Sequence, residues 1–157
     1  MYRFLIVSLL FVSCQSNNNK KLPEFSKKTL SGKTISNKNL IGKTVVVKVW
    51  ATWCGSCIAE IPALNQLVDT YKSDTNIVFL SITDDKEEKI KNFLDKNTFN
   101  YEHITDSKSL KGKFYTGFIQ EIPKHLVINP KGDIVYESSG EIENINTVLG
   151  QVISNIK

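Results

Sequence analysis

The chain has 157 residues, 41% of them hydrophobic and 23% charged, with a formal net charge of +4. That length suits one domain with a proper core, and nothing in the composition points to a disordered chain. So modest a positive balance is no nucleic-acid signature, and no nucleic-acid partner is expected.

Met1, Tyr2 and Arg3 precede an apolar run over 4–12, the charged start and hydrophobic centre of a secretory signal. The run is too short to span a membrane comfortably, so residues 1–13 read as a signal peptide and the chain as exported. Ser13 and Cys14 then lead into a polar string, a pattern that resembles the lipobox of bacterial lipoproteins, although Phe11 stands where leucine is usual. Lipidation of Cys14 is the expectation, with an ordinary cleaved signal and an incidental cysteine as the alternative. An unmodified Cys14 would be an odd reactive thiol in an exported protein, whereas an acylated one leaves an even count. Residues 14–22 read as a lipid-anchored flexible tether, since Asn17, Asn18 and Asn19 offer no apolar face. The eight lysines from 20 to 48 are spread out and read as a solvated face, with a juxtamembrane segment leaning on anionic headgroups as the alternative.

The domain then occupies 23–157. Residues 22–26 and 29–35 read as an edge hairpin turning at Ser31 and Gly32. A valine-rich run over 43–49, entered through Gly42, is short enough for a buried strand, and 58–72 repeats apolar residues at helical spacing. Cys57, Ile61, Leu64, Val68 and Tyr71 share one face of that helix. Pro62 removes a backbone bond within it, so a kink is expected. Residues 76–83 form a second buried strand parallel to the first. A helix follows from Asp84 to Lys96, with Ile90, Phe93 and Leu94 inward and acidic residues near its start. A short strand over 101–105 and a short helix over 107–115 come next. Residues 125–128 and 134–136 flank the turn at 129–133 as an antiparallel hairpin, and a helix over 141–156 presents an apolar stripe.

Trp50-Ala51-Thr52-Trp53-Cys54-Gly55-Ser56-Cys57 places two cysteines where the buried strand gives way to the helix. Thiols at that spacing close into a disulfide or bind a metal. A structural zinc site needs four ligands, and here it would have to draw on Cys54, Cys57, His103 and His125, so redox chemistry is the favoured reading and no metal is assigned. Unpaired N–H groups and partial positive charge at a helix N-terminus stabilise a thiolate, which makes Cys54 the nucleophile.

These residues, with Glu60-Ile61-Pro62 behind the cysteines and Ile122-Pro123 ahead of the hairpin strand, resemble the thioredoxin superfamily. Within it they resemble the exported, membrane-tethered TlpA/ResA-like thiol-disulfide oxidoreductases, over residues 23–157. The resemblance implies an α/β thioredoxin-like fold: a central mixed sheet flanked by helices, with an N-terminal hairpin and a central insertion. It implies a cis bond between Ile122 and Pro123 facing the two sulfurs, against the alternative of a trans loop proline. Trp53 is expected to cover Cys54 and shape the substrate surface, and Trp50 to pack in the core.

The chain departs from the family at two places. Ser56 stands where proline is commonest, so Gly55-Ser56 leaves the redox poise open. Lys48 occupies a strand position where thioredoxins carry a buried aspartate, and a lysine there needs a partner or must lose its charge. Two readings of Lys48 stand side by side. In one, Glu60, a helical turn past Cys57, pairs with Lys48 and assists deprotonation of Cys57, as the matching glutamate is thought to do in ResA-like proteins. In the other, Lys48 snorkels to the surface and Glu60 caps the kinked helix. His125 follows Pro123 closely and could approach the active site, with a structural strand histidine as the favoured reading, and His103 carries no signal.

The expected reaction is thiol-disulfide exchange without a cofactor: Cys54 attacks a client's disulfide and Cys57 resolves the mixed disulfide. Gly55-Ser56 supplies no thiolate-stabilising group of the kind strong oxidants carry, so a reductant is favoured. The resemblance implies a membrane thiol transporter as electron donor and clients such as apocytochromes c, at a membrane-anchored site facing the periplasm. A disulfide-forming oxidase or isomerase, a peroxiredoxin-like peroxidase, and a copper or haem chaperone are the rivals.

Overall fold

In a computed structural model the described residues are 20–115 and 120–156. The stretch read as a signal peptide, Cys14 and most of the expected tether therefore lie outside the described residues. The chain runs β1 (Ser26–Lys28), β2 (Thr34–Ser36), α1 (Asn37–Leu40), β3 (Thr44–Val49), α2 (Gly55–Ala59), α3 (Ile61–Tyr71) and β4 (Ile77–Ile82). It continues through α4 (Glu87–Leu94), β5 (Glu102–Ile104), α5 (Lys108–Gly112), β6 (Lys124–Ile128), β7 (Ile134–Ser139) and α6 (Ile145–Ile156).

Five strands form one mixed sheet in the order β5-β4-β3-β6-β7, with β3, β4 and β5 parallel and β6 and β7 antiparallel to their neighbours. β3 is central and every one of its residues is buried, as its unbroken valine run requires of a strand covered on both faces. Alternation divides its side chains. Val46 and Trp50 join Ile61, Leu64 and Leu67 of α3 and Ile145, Leu149 and Ile153 of α6 on one face. Val45, Val47 and Val49 meet Leu110 of α5, Phe114, Leu40 and Ile35 on the other. The cysteine loop leaves β3 at the end where Val49 pairs with Lys124, so it shares that end of the sheet with Pro123.

The expected elements form except the first hairpin strand: residues 22–25 are not strand, and the hairpin pairs Ser26–Lys28 with Thr34–Ser36 in place of 22–26 with 29–35, while several other boundaries shift for visible reasons. The first helix is two: α2 begins at Gly55, and the chain breaks at Glu60 so that Pro62 falls in the first turn of α3, where its missing N–H is harmless. Leu67 is buried there, while Val68 and Tyr71 are only half-buried. α4 starts at Glu87 and not at Asp84, its first N–H capped by the Asp106 carboxylate at 3.1 Å. α6 starts at Ile145 and not at 141, because Asn144 sits at φ +53°, outside helical space. The N-terminal hairpin stands as its own small sheet, with Lys27 opposite Ile35 and Gly32 at φ +87° in its turn, which favours glycine. Residues 20–22, assigned to the tether from the sequence, instead pair along the turn before β7. Lys21 bridges Asp133, the Leu22 N–H donates to Gly132 at 2.9 Å and the Ile134 N–H to Lys20 at 2.8 Å.

Candidate active site

Cys54 and Cys57 are joined in a disulfide. Cys54 is the N-cap of α2, and its sulfur accepts from the Cys57 N–H at 3.2 Å. The same sulfur lies 3.6 Å from the Ser56 hydroxyl. That corrects the expectation that Gly55-Ser56 offers no thiolate-stabilising group: a neutral donor is in place, weaker than a charged imidazole. Cys54 is 7% exposed and Cys57 not at all, so an incoming disulfide meets Cys54 first. A side chain at Gly55 would meet only open space, and Trp53 beside it is 69% exposed, an apolar surface next to the reacting sulfur. Trp50 is fully buried, edge-on to Phe93 and Phe99.

The Ile122–Pro123 bond is cis. Ile122 packs against the cluster that holds both cysteines, and the Pro123 carbonyl accepts from the Gly140 N–H at 2.8 Å. The sequence shows nothing of what steadies the cysteine loop from the other side. Asp85 accepts from the Thr52 N–H at 2.7 Å and from the Thr52 hydroxyl at 3.0 Å, and Lys89 holds its second oxygen at 2.8 Å. Burial pushes the Asp85 carboxyl up, but the bonds from Lys89 and Thr52 outweigh it and leave the group below the ordinary carboxylate range.

Lys48 is completely buried and its ammonium donates to Glu60 Oε2, so it does not snorkel. Glu60, at the junction of α2 and α3, makes no side-chain cap to either helix. Its other oxygen, Oε1, accepts from the Ile142 N–H at 2.9 Å. His125 brings Nε2 to 3.0 Å from Glu60 Oε2, although the ring is not turned for a well-aligned hydrogen bond. Three buried ionisable side chains from β3, the helix junction and β6 therefore meet beneath the active-site helix. Burial pushes the Glu60 carboxyl up, yet its contacts with His125 and Lys48 prevail and hold it below the ordinary range. Burial lowers Lys48 and His125 against the pull of Glu60, and the neighbouring Lys48 charge lowers His125 further.

His103 has a structural place: the Ser81 hydroxyl lies 2.6 Å from Nδ1, and Nε2 lies 3.1 Å from the Phe99 carbonyl. The four residues a zinc site would need are not gathered into a ligand set among the described residues.

The AhpC/TSA family profile matches residues 19–137. The thiol-disulfide oxidoreductase ResA of Bacillus thuringiensis subsp. konkukian is 30% identical over 122 residues, 78% of this chain and 69% of the relative. The thioredoxin-like protein YneN of Bacillus subtilis is 29% identical over 117 residues, 73% of this chain and 67% of the relative. Among solved structures, a thiol:disulfide interchange protein of the thioredoxin family from Chlorobium tepidum superposes with a TM-score of 0.74 at 25% identity, covering 88% of this chain and 96% of that one. The family profile runs from ahead of β1 through the cysteine loop into β7, and the chain belongs to the AhpC/TSA family, among its ResA-type thiol-disulfide oxidoreductases.

Proposed function

We propose that the protein is an exported, membrane-tethered reductant of protein disulfides. The observation that carries the exchange chemistry is the Cys54–Cys57 pair at the start of α2, its outer sulfur approachable and its inner one buried, and the reductive direction is supported by the lack of a charged thiolate-stabilising group in Gly55-Ser56. In the reduced state Cys54 attacks a client disulfide as the thiolate, forming a mixed disulfide and releasing one client thiolate. Cys57 then attacks Cys54 and the second client sulfur leaves, so two electrons pass to the client and the pair ends oxidised. Glu60 assists deprotonation of Cys57. The leader over 1–13 and Cys14 support export and lipid anchoring, with a membrane thiol transporter as electron donor. The ResA-like sequence supports clients such as apocytochromes c, and thus a part in cytochrome c biogenesis on the periplasmic side.

The reduction potential of the pair, equilibrated against thiol buffers and followed by the fluorescence of Trp53, tests the direction. A value near that of thioredoxin, about −270 mV, or lower is expected. A value approaching about −120 mV would make the protein a disulfide-forming oxidant.

A further inference from the structure

We propose that His125 is the seat for the proton that Cys57 gives up, with Glu60 as the bridge and Lys48 as the fixed charge that keeps Glu60 from holding the proton itself. The inference rests on the reading in which Glu60 serves Cys57, and it names the group behind Glu60. His125 is a positioning residue in this scheme, acting through the carboxylate.

The geometry points there because Lys48 and His125 sit opposite each other on β3 and β6, share a sheet face and bring their nitrogens to the same oxygen of Glu60, Lys48 in a hydrogen bond and His125 at 3.0 Å. That face carries Val46 and Trp50, which pack in one cluster with Cys57, and Glu60 follows Cys57 by a single helical turn. Among the described residues, the other ionisable groups coupled to the unit by charge are Glu141, ahead of α6, whose field reaches Lys48, and Tyr101, ahead of β5, which feels Glu60. With Lys48 charged, Glu60 ionised and His125 neutral, the unit carries no net charge. Ionising Cys57, one helical turn from Glu60, creates an uncompensated buried negative charge, which a low-dielectric interior penalises. One more proton on the unit cancels that charge. Imidazole is intrinsically more basic than a carboxyl group, and the carboxylate is already engaged by Lys48 and the Ile142 N–H, so the proton belongs on His125. In this step the Cys57 S–H bond breaks, an N–H bond forms on the imidazole, and no electrons change hands. When the Cys57 thiolate then closes the disulfide, the imidazolium gives its proton up, and the departing client thiolate is its final acceptor.

The test uses the full chain carrying Cys54→Ser, so that Cys57 remains a thiol, and follows alkylation of the Cys57 peptide against pH by mass spectrometry. Adding His125→Asn should move the ionisation of Cys57 up by about one pH unit, roughly a tenfold loss of thiolate at fixed pH. A variant that had merely loosened would wet the thiol and move it down toward the free-cysteine range. That result, or no shift, overturns the proposal. Imidazole NMR signals provide a second reading without altering His125: the ring should keep its proton to higher pH in the reduced chain than in Cys57→Ser, and identical titration in the two overturns the proposal as well. Reduction of a protein disulfide by the unmodified chain separates the levels. If that fails, the exchange reading falls; if it succeeds while Cys57 ignores His125, only the proton seat falls.

Discussion

At Cys54 the sulfur faces a backbone N–H and a serine hydroxyl, both of which favour the thiolate. Ser56→Ala removes the hydroxyl and should raise the Cys54 pKa by up to about one unit, lowering the potential by up to about 30 mV. Thiolate absorbance against pH and thiol-buffer equilibration check the two numbers. Lys48 and Glu60 pose a different problem, since two charges have been taken out of water for each other. Lys48→Met leaves Glu60 buried with its main counter-charge gone, which should cost about 3–5 kcal/mol in urea unfolding of the oxidised protein. Adding Glu60→Gln should recover much of that, because glutamine still accepts from the Ile142 N–H without a charge to bury. Glu60→Gln alone should flatten the pH dependence of turnover. An unchanged profile would remove Glu60 from proton transfer. The residue types were legible in the sequence, down to Lys48 as an anomaly, but not which partner each would find. His125 meets Glu60 only because β6 lies beside β3, a neighbour far away in the chain.

Helices and strands were legible wherever hydrophobic period alone decides them, as in β3, β4 and the body of α3. Boundaries moved where distant groups claim the backbone. Ile142 gives its N–H to Glu60 in place of a helical carbonyl, and the N-terminus of α4 takes its cap from Asp106, nineteen positions later. Asp85 is the clearest case of an element recruited to the site. An acidic residue ahead of a helix reads as a favourable charge at its start, yet its carboxylate is spent on Thr52, beside the cysteine loop. Asp85→Ala should cost about 1–3 kcal/mol by leaving two donors without their acceptor. It should also speed hydrogen exchange at the Thr52 amide well beyond that of β3 amides; equal protection before and after would show that the loop needs no such tie.

Across the whole molecule, two buried histidines set an acid limit. Burial lowers both His103 and His125 below their ordinary value of 6.5. The unfolded chain therefore binds protons first: stability is fully present above about pH 6.5 and declines as pH falls below it, until the folded values are reached. The slope approaches about 1.4 kcal/mol per pH unit for each histidine in that window. Urea midpoints should drop from pH 7.5 to pH 5.5, and His103→Asn should reduce the drop. Carboxylates with lowered values, Glu60 and Asp85 among them, extend the loss further into acid, because they bind their protons more readily once unfolded.

The sequence by itself determined the class of fold and the reacting pair, because hydrophobic period, a cysteine spacing and two prolines are local properties that survive in one dimension. It also marked Lys48 as a charge in the wrong place. Tertiary structure alone decided what compensates that charge, what holds the cysteine loop and which ends the helices lose. Each of those depends on groups far apart in the chain that meet only once the sheet is ordered, where burial makes an unpaired charge or N–H too costly to leave.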